Sequence, residues 1–201
     1  MLVYVMEAVL GYLLGSVSFS IILSRRAYKK DVRNEGSGNA GATNVARVFG
    51  LKAGLLTLLC DVLKMVLPML LGMHLSGDIG IAVAGIAGLL GHCFPVYFGF
   101  RGGKGVSVAA AIALFADWRV FLVGIAVFAI AFLISRIVSV SSMLAAISLP
   151  IAAFAFADTT PRLILLTVTC ILVLFMHRSN FARLIKGKEK EFVPKEEKRK
   201  K

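Results

Sequence analysis

The stretch from Asn34 to Arg47 holds the residues of this sequence best suited to bind an anion. It reads N-E-G-S-G-N-A-G-A-T-N-V-A-R, with glycines at positions 36, 38 and 41. Glycine lets a backbone adopt positive φ and approach a ligand closely, while hydroxyl and amide side chains supply hydrogen bonds. A helix resuming near Ala42 would direct its N-terminal N–H groups to the same place. An ordinary glycine turn is the alternative, but the density of polar groups favours a phosphate site.

A second polar stretch runs from Gly91 to Gly105 and ends in R-G-G-K-G. Lys104 offers a compact positive charge and Arg101 a planar guanidinium, and the glycines let the backbone fold around an anion. The spacing differs from the phosphate-binding motif G-x-x-x-x-G-K-[ST]. The stretch is therefore either an anion site of another kind or a basic turn at a membrane boundary.

A third polar stretch, H-R-S-N-F-A-R, begins at His177 and ends at Arg183. A histidine at a helix end is commonly an interfacial or capping residue. The neighbouring Asn180 and two arginines favour a role in a site. His92 is explained more simply by helix packing.

Several chemistries are disfavoured by what the sequence lacks. It contains no G-x-S-x-G motif of a serine hydrolase. No histidine is followed five positions later by an aspartate, the pairing used by one large class of acyltransferases. The three cysteines lie in apolar runs without metal-ligand spacing. We therefore expect neither a metal nor a cofactor.

The elements that must position these polar stretches are membrane helices. Of the 201 residues, 58% are hydrophobic, and the mean hydropathy is +0.85, whereas soluble domains average about 45–50% apolar residues. The predicted apolar segments are 2–23, 51–73, 79–100, 106–116, 118–134, 140–157 and 163–176. A crossing takes about 20 residues, so the fourth segment is either short or partly re-entrant. In the first segment, Gly11 and Gly15 favour close helix packing.

The fold class predicted is all-α: a polytopic integral membrane bundle of about seven transmembrane helices. With the N-terminus outside, most of the 23 Lys and Arg residues fall on connections of one side, so the positive-inside rule makes the C-terminus cytoplasmic. The three polar stretches and a turn containing Ser139 and Ser142 then converge on the cytoplasmic face. Residues 1–185 form a single transmembrane domain, and 186–201 form a basic, flexible tail suited to anionic lipid headgroups and not to nucleic acid.

Asp61 and Lys64 interrupt the second apolar segment. Their i, i+3 spacing places them on one helix face. Charges at membrane depth are costly unless they pair or face a polar cavity. The sequence leaves open whether they form a structural ion pair or support the site.

Three ordered motifs resemble those of the PlsY family, the bacterial membrane acyl-phosphate:glycerol-3-phosphate acyltransferases. They read G-S-G-N-A-G-A-T-N-V-x-R, G-H-C-F-P-V-Y-F-G-F-R-G-G-K-G and H-R-x-N-x-x-R-L-I-x-G-x-E. The resemblance covers nearly the whole chain. It implies transfer of a fatty acyl group from acyl phosphate to the 1-hydroxyl of sn-glycerol 3-phosphate, giving lysophosphatidic acid and phosphate, the first step of phospholipid synthesis. The expected location is the bacterial cytoplasmic (inner) membrane, with acyl phosphate, glycerol 3-phosphate and the lipid bilayer as partners. The oligomeric state stays open, a monomer included.

The resemblance also implies roles for individual residues. The catalytic set is Ser37, Asn39, Arg47, Lys104 and His177. The substrate- and phosphate-binding set is Gly38, Gly41, Thr43, Asn44, Gly102, Gly103, Gly105, Ser139, Ser142, Asn180 and Arg183. We favour proton transfer to a substrate phosphate, because no carboxylate in the motifs is evidently placed to support a histidine base. His177 as the base is the alternative.

Two other classes compete with an acyltransferase. An organophosphate transporter would share a basic phosphate site, but it would place polar groups near the midplane on broken helices and often show a repeated half. Only Asp61 and Lys64 have that depth in the predicted segments, and the sequence shows no internal repeat. A structural membrane subunit would leave three glycine-rich polar stretches without a purpose.

Overall fold

The computed structural model describes residues 1–156 and 159–193. Residues 157 and 158, which end the sixth predicted segment and begin the next connection, and residues 194–201 of the predicted tail lie outside the described residues. The described residues form helices and no strand, which confirms the all-α prediction. The helices are α1 Leu2–Gly15, α2 Phe19–Tyr28, α3 Ala42–Phe49, α4 Leu51–Leu63, α5 Val66–Cys93, α6 Val106–Ala116, α7 Trp118–Ser135, α8 Val138–Phe156, α9 Thr160–Met176 and α10 Arg178–Ile185.

Four helical stretches in the described part of the chain are long and apolar enough to cross a membrane. They cover residues 2–28, 51–98, 118–135 and 138–156, and α9 with α10 would add a fifth if this pair, bent by 54°, forms one span. Large apolar side chains such as Leu133 and Ile151 are exposed on these helices, as expected where lipid is the solvent. The count of seven crossings and the orientation of the termini stay predictions.

Helix α5 folds back on itself at Gly77, where the backbone leaves the helical region with φ 60° and ψ −137°. The two arms approach so closely that a Cβ on Gly72 would lie 2.4 Å from the carbonyl oxygen of Gly80. The reversal falls within the connection predicted at 74–78, between the second and third apolar segments. The 48-residue stretch 51–98 is therefore divided near its middle.

Helix α1 packs against the second arm of α5 through small residues. A Cβ on Gly11 would lie 2.6 Å from the carbonyl oxygen of Ala84, and one on Gly15 would lie 2.1 Å from that of Gly88. The prediction that this glycine pair serves helix packing is confirmed. The hydroxyl of Tyr12 donates to the carbonyl of Phe94 at 2.9 Å, so α1 also holds the point where the second polar stretch leaves α5.

The short α6 lies at the centre of the bundle. Val108 and Ile112 are fully buried in a core shared with α5, α8 and α9. The 11 residues of α6 rise only about 16 Å, about half the thickness of a bilayer's hydrocarbon core. The helix begins and ends at the predicted residues, and its N-terminal end, capped by Gly105 at φ 84°, opens on the candidate site.

Candidate active site

A cavity of about 460 Å³ lies where the predicted polar stretches meet. Its walls contain the N-terminal ends of α3, α6, α8 and α10. The first N–H groups of a helix have no partner within it, and the helix dipole makes that end partly positive. Four such ends around one cavity create an environment that favours anions.

Most of the predicted site residues line this cavity. They are Ser37, Asn39, Gly41, Thr43, Asn44, Arg47, Lys104, Gly105, Ser139, Ser142, His177, Asn180 and Arg183. Three predicted residues, Gly38, Gly102 and Gly103, are absent from the described lining. The convergence expected from the sequence is therefore observed in space.

The glycine-rich loop is held together by Asn44, whose side chain is buried. Its amide nitrogen lies 3.0 Å from each of the carbonyl oxygens of Val32, Glu35 and Asn39. Its amide oxygen accepts from the backbone N–H of Ser37 at 2.9 Å. The hydrogen-bonding groups of Asn44 therefore shape the loop, which presents its other residues to the cavity; the prediction that Asn44 also binds phosphate stays a prediction.

Helix α3 presents its N-terminal end and one face to the cavity. Gly41 is its N-cap and supplies no side-chain cap, so the first N–H groups are left for other acceptors. Thr43 and Arg47, which are four residues apart, both line the cavity, as i, i+4 neighbours on one helix face should. The loop therefore combines backbone donors, a hydroxyl and a guanidinium.

The G-G-K-G loop is pressed against the end of α5. The N–H of Gly102 donates to the carbonyl of Cys93 at 3.2 Å, and that of Gly103 donates to the carbonyl of His92 at 3.1 Å. A Cβ on Gly102 would lie 2.0 Å from the His92 carbonyl oxygen. The N–H groups of these two glycines are therefore already used, and their missing side chains permit close packing; substrate binding by Gly102 and Gly103 stays a prediction. The same packing positions Lys104 at the cavity.

The ammonium of Lys104 donates to the amide oxygen of Asn180. Burial lowers the pKa of Lys104 to about 8, and the positive charges of Arg183 and Arg47 contribute in the same direction, while Glu189 opposes them. A cation with a lowered pKa gains stabilisation when an anion binds beside it. The environment of Lys104 therefore favours an anionic ligand such as a phosphate.

Glu189 accepts hydrogen bonds from three cavity residues. The donors are Asn180 Nδ2 at 2.5 Å, Arg183 Nε at 2.6 Å and Ser139 Oγ at 2.8 Å. Burial raises the pKa of Glu189, but these hydrogen bonds and the charge of Arg183 together hold it below its usual value. The carboxylate joins α8 to α10 and fixes the orientation of Asn180.

The described residues that follow α10, 186–193, continue to pack against the bundle, whereas a flexible tail was predicted from position 186. Gly187 turns the chain at φ 61°, and the N–H of Lys188 donates to the carbonyl of Arg183 at 2.8 Å. The N–H of Phe192 donates to the carbonyl of Arg136, and its ring contacts Phe132. Sequence reasoning missed Glu189 as a site residue, although it is the last residue of the third motif.

His177 is buried at the junction of α9 and α10. Its Nδ1 lies 2.8 Å from the carbonyl oxygen of Val173. Because a carbonyl can only accept, Nδ1 carries a proton, and in the neutral ring Nε2 is an acceptor. His177 can therefore orient a substrate hydroxyl through Nε2.

His92 and Ser107 also line the cavity, although neither was predicted to be a site residue. His92 is buried in the last turn of α5. Its partner is the ammonium of Lys64, which also pairs with Asp61. The two charges that interrupt the second apolar segment thus adjoin the site.

An apolar groove adjoins the polar cavity. Its described lining comes mainly from α6, α7 and α8, and includes small residues such as Ala109, Ala113 and Gly124. Val106, Phe128 and Ser142 line both spaces. A ligand with an anionic head and an apolar chain fits this arrangement.

Comparison with known proteins shows what the chain is similar to. Residues 5–187 match the family described as glycerol-3-phosphate acyltransferase. The chain is 42% identical over 190 residues to glycerol-3-phosphate acyltransferase 2 of Bacillus anthracis, an alignment that covers 94% of this chain and 99% of that protein. The crystal structure of PlsY, an integral membrane glycerol 3-phosphate acyltransferase, in its glycerol 3-phosphate form has a TM-score of 0.90 at 36% identity and covers 94% of this chain and 96% of that one. The lysophosphatidic acid form has a TM-score of 0.87 at 35% identity, with 94% and 95% covered.

Proposed function

The chain belongs to the glycerol-3-phosphate acyltransferase family of integral membrane enzymes, and from this premise we propose that it transfers a fatty acyl group from acyl phosphate to the 1-hydroxyl of sn-glycerol 3-phosphate. The products are lysophosphatidic acid and inorganic phosphate. The observation that carries the proposal is an apolar groove that shares lining residues with a cationic cavity. The forms in which PlsY was crystallised, with glycerol 3-phosphate and with lysophosphatidic acid, support the acceptor and the product.

The acyl phosphate donor lies with its phosphate in the cavity and its chain in the groove. Arg47 and Lys104 bind the phosphate together with the N-terminal N–H groups of α3. Ser37 and Asn39 line the same part of the cavity and add hydrogen bonds. The acyl carbonyl then lies near the boundary of the two spaces, where Ser142 lines both.

The acceptor, glycerol 3-phosphate, binds on the wall formed by α10. Arg183 contacts its phosphate, while Asn180 and His177 orient the glycerol hydroxyls. Positioning two substrates in this way converts a bimolecular reaction into an effectively unimolecular one, which can supply about 7–11 kcal/mol of the barrier. The site thus contributes through binding and orientation.

The chemical step needs no covalent enzyme intermediate, because acyl phosphate is an activated mixed anhydride. The 1-hydroxyl oxygen attacks the acyl carbon, and the bond from that carbon to the phosphate oxygen breaks with its electron pair on phosphate. The hydroxyl proton passes to a substrate phosphate. Lys104 and Arg47 stabilise the charge on the departing phosphate. Among the described residues, His177 Nδ1 is oriented by the backbone carbonyl of Val173 and not by a carboxylate.

We place the site at the cytoplasmic face of the bacterial inner membrane. The connections that contain its polar stretches, including the chain from position 177, carry most of the basic residues, and such residues are concentrated on the cytoplasmic side. A soluble phosphorylated acceptor and a lipid-tailed donor can meet there.

The test is phosphate release by purified protein in detergent, given acyl phosphate with and without glycerol 3-phosphate. We expect release that depends on glycerol 3-phosphate and falls at least a hundredfold in Lys104→Ala. Arg26→Ala is the matched control, because Arg26 is exposed and absent from the described cavity lining. Release independent of glycerol 3-phosphate, or equal rates in the Lys104 variant and wild type, would refute the proposal. Uptake of glycerol 3-phosphate into proteoliposomes without a donor would favour the transporter instead.

A further inference from the structure

We propose that His92 is a further substrate-binding residue of this site, a neutral imidazole that donates a hydrogen bond from Nε2 to phosphate, and that Asp61 and Lys64 position it. The proposal rests on the function proposed above for the identity of the ligand. The protonation state of the imidazole is inferred separately, from the buried side chains of Asp61 and Lys64 that surround it.

The network begins with an ion pair at membrane depth. Lys64 Nζ lies 2.9 Å from Asp61 Oδ1, and the two side chains are only 4% and 2% exposed. Two further acceptors surround the same nitrogen: the carbonyl oxygen of Val17 at 2.9 Å and His92 Nδ1 at 3.0 Å. An ammonium has three N–H groups and no acceptor, so these three partners use every donor that Lys64 has.

This geometry determines the tautomer of His92. Because the ammonium can only donate, Nδ1 must accept, and it therefore carries no proton. A neutral ring with an unprotonated Nδ1 carries its proton on Nε2. His177 has the opposite tautomer, since its Nδ1 donates to a carbonyl. The site thus holds one histidine that donates from Nε2 and one that accepts there.

The Nε2 edge of His92 lies on the side of the G-G-K-G loop. A Cβ built on Gly103 would be 2.2 Å from His92 Nε2, so Nε2 is packed directly against the residue before Lys104. His92 lines the cavity, and no hydrogen-bond partner of Nε2 is found among the described residues. Its proton is available to a ligand oxygen beside Lys104.

The arrangement explains why a costly ion pair is kept inside the bundle. Breaking a buried pair by removing one partner typically costs 3–5 kcal/mol, and such pairs at membrane depth commonly serve a site. Here the positive charge of Lys64 polarises the imidazole and strengthens Nε2–H as a donor. Ser107 links the same network to the cavity, since it lines the cavity and its hydroxyl lies 3.4 Å from Asp61 Oδ2.

The first test reads the tautomer in the intact protein. The chain has three histidines, so ¹⁵N-histidine labelling gives a spectrum that His74→Ala and His177→Asn assign by elimination. We expect an unprotonated Nδ1 and a protonated Nε2 for His92, and added inorganic phosphate should shift the Nε2–H signal. A protonated Nδ1 overturns the proposal, and so does the absence of a shift at phosphate concentrations that shift the Lys104 signal in a second sample labelled with ¹⁵N-lysine. Neither readout requires acyl transfer, so failure of the proposed function is seen separately.

The second test compares two substitutions of His92. His92→Gln keeps an amide N–H near the position of Nε2, whereas His92→Phe keeps ring size and no donor. We expect His92→Phe to lower kcat about a hundredfold with a smaller change in KM, and His92→Gln to retain activity within about tenfold of wild type. Equal loss in both variants at unchanged thermal stability, or kcat within twofold of wild type in His92→Phe, contradicts donation from Nε2.

Discussion

Gly103→Ala is the substitution whose effect follows most directly from the packing of the site. The new Cβ would lie 2.2 Å from His92 Nε2, about 1.2 Å closer than the 3.4 Å at which ordinary contact begins. His92 cannot yield easily, because Lys64 holds its ring at 3.0 Å and its carbonyl accepts from Gly103 itself. The G-G-K-G loop must therefore move by about 1 Å, and Lys104 moves with it.

A displacement of 1 Å in a positioning group can cost about a hundredfold in rate, which corresponds to about 2.7 kcal/mol of transition-state stabilisation. We expect kcat/KM for acyl transfer to fall by about that factor in Gly103→Ala, measured by phosphate release at limiting substrate. The protein should remain folded, as judged by its thermal unfolding midpoint in detergent.

Gly99→Ala provides the control in the same connection. A Cβ there meets nothing within 4 Å, although φ is 66°, so the substitution adds left-handed strain of about 1–2 kcal/mol without a collision at the site. We expect its kcat/KM to stay within about threefold of wild type. If folded Gly103→Ala retains wild-type kcat/KM, the inference that close packing on His92 positions Lys104 is wrong.

Three further predictions concern the charge, the groove and the loop. Because the pKa of Lys104 is lowered to about 8, its ammonium loses its charge as the pH rises through that value. A pH–rate profile should therefore show kcat/KM declining above about pH 8. In Lys104→Arg the decline should move to higher pH. Ala113→Phe fills the groove. When long and short acyl phosphates compete for the enzyme, this variant should use the long ones about tenfold less well relative to the short ones. Leu114→Phe, at an exposed position, should leave that ratio unchanged. Asn44→Ala removes two N–H donors that face three loop carbonyls and one oxygen that accepts from Ser37. At about 1 kcal/mol for each hydrogen bond, the loss should lower the thermal midpoint and raise KM, while Asn34→Ala, at an exposed position, should change neither.

The helical architecture could be predicted because the bilayer leaves few options. Backbone groups in hydrocarbon must be satisfied within the segment, so long apolar runs become helices. The bounds of α6 could also be predicted from the sequence, because Gly105 precedes the helix and Asp117 follows it. The convergence of Arg47, Lys104 and His177 followed from the position of basic residues along the chain.

The roles of individual polar groups could not be predicted in the same way. Glycines with different roles look the same in a sequence. One glycine exposes its N–H to a ligand, and another packs on a neighbouring backbone, as Gly102 and Gly103 do. The side chain of Asn44 bonds to four backbone groups of its own loop, and this depends on which carbonyls the fold places around it. Glu189 lies in a Lys- and Glu-rich stretch typical of a solvated tail, and its donors are 6, 9 and 50 residues away.

The central claim is that one cavity joins an acyl phosphate to glycerol 3-phosphate. The most direct measurement quantifies lysophosphatidic acid and inorganic phosphate in the same reaction with purified protein. We predict equal amounts of the two products at every time point, and neither product from Arg47→Ala above about a hundredth of the wild-type rate. Phosphate without lysophosphatidic acid would indicate simple hydrolysis, and lysophosphatidic acid from another acyl donor with none from acyl phosphate would contradict the account.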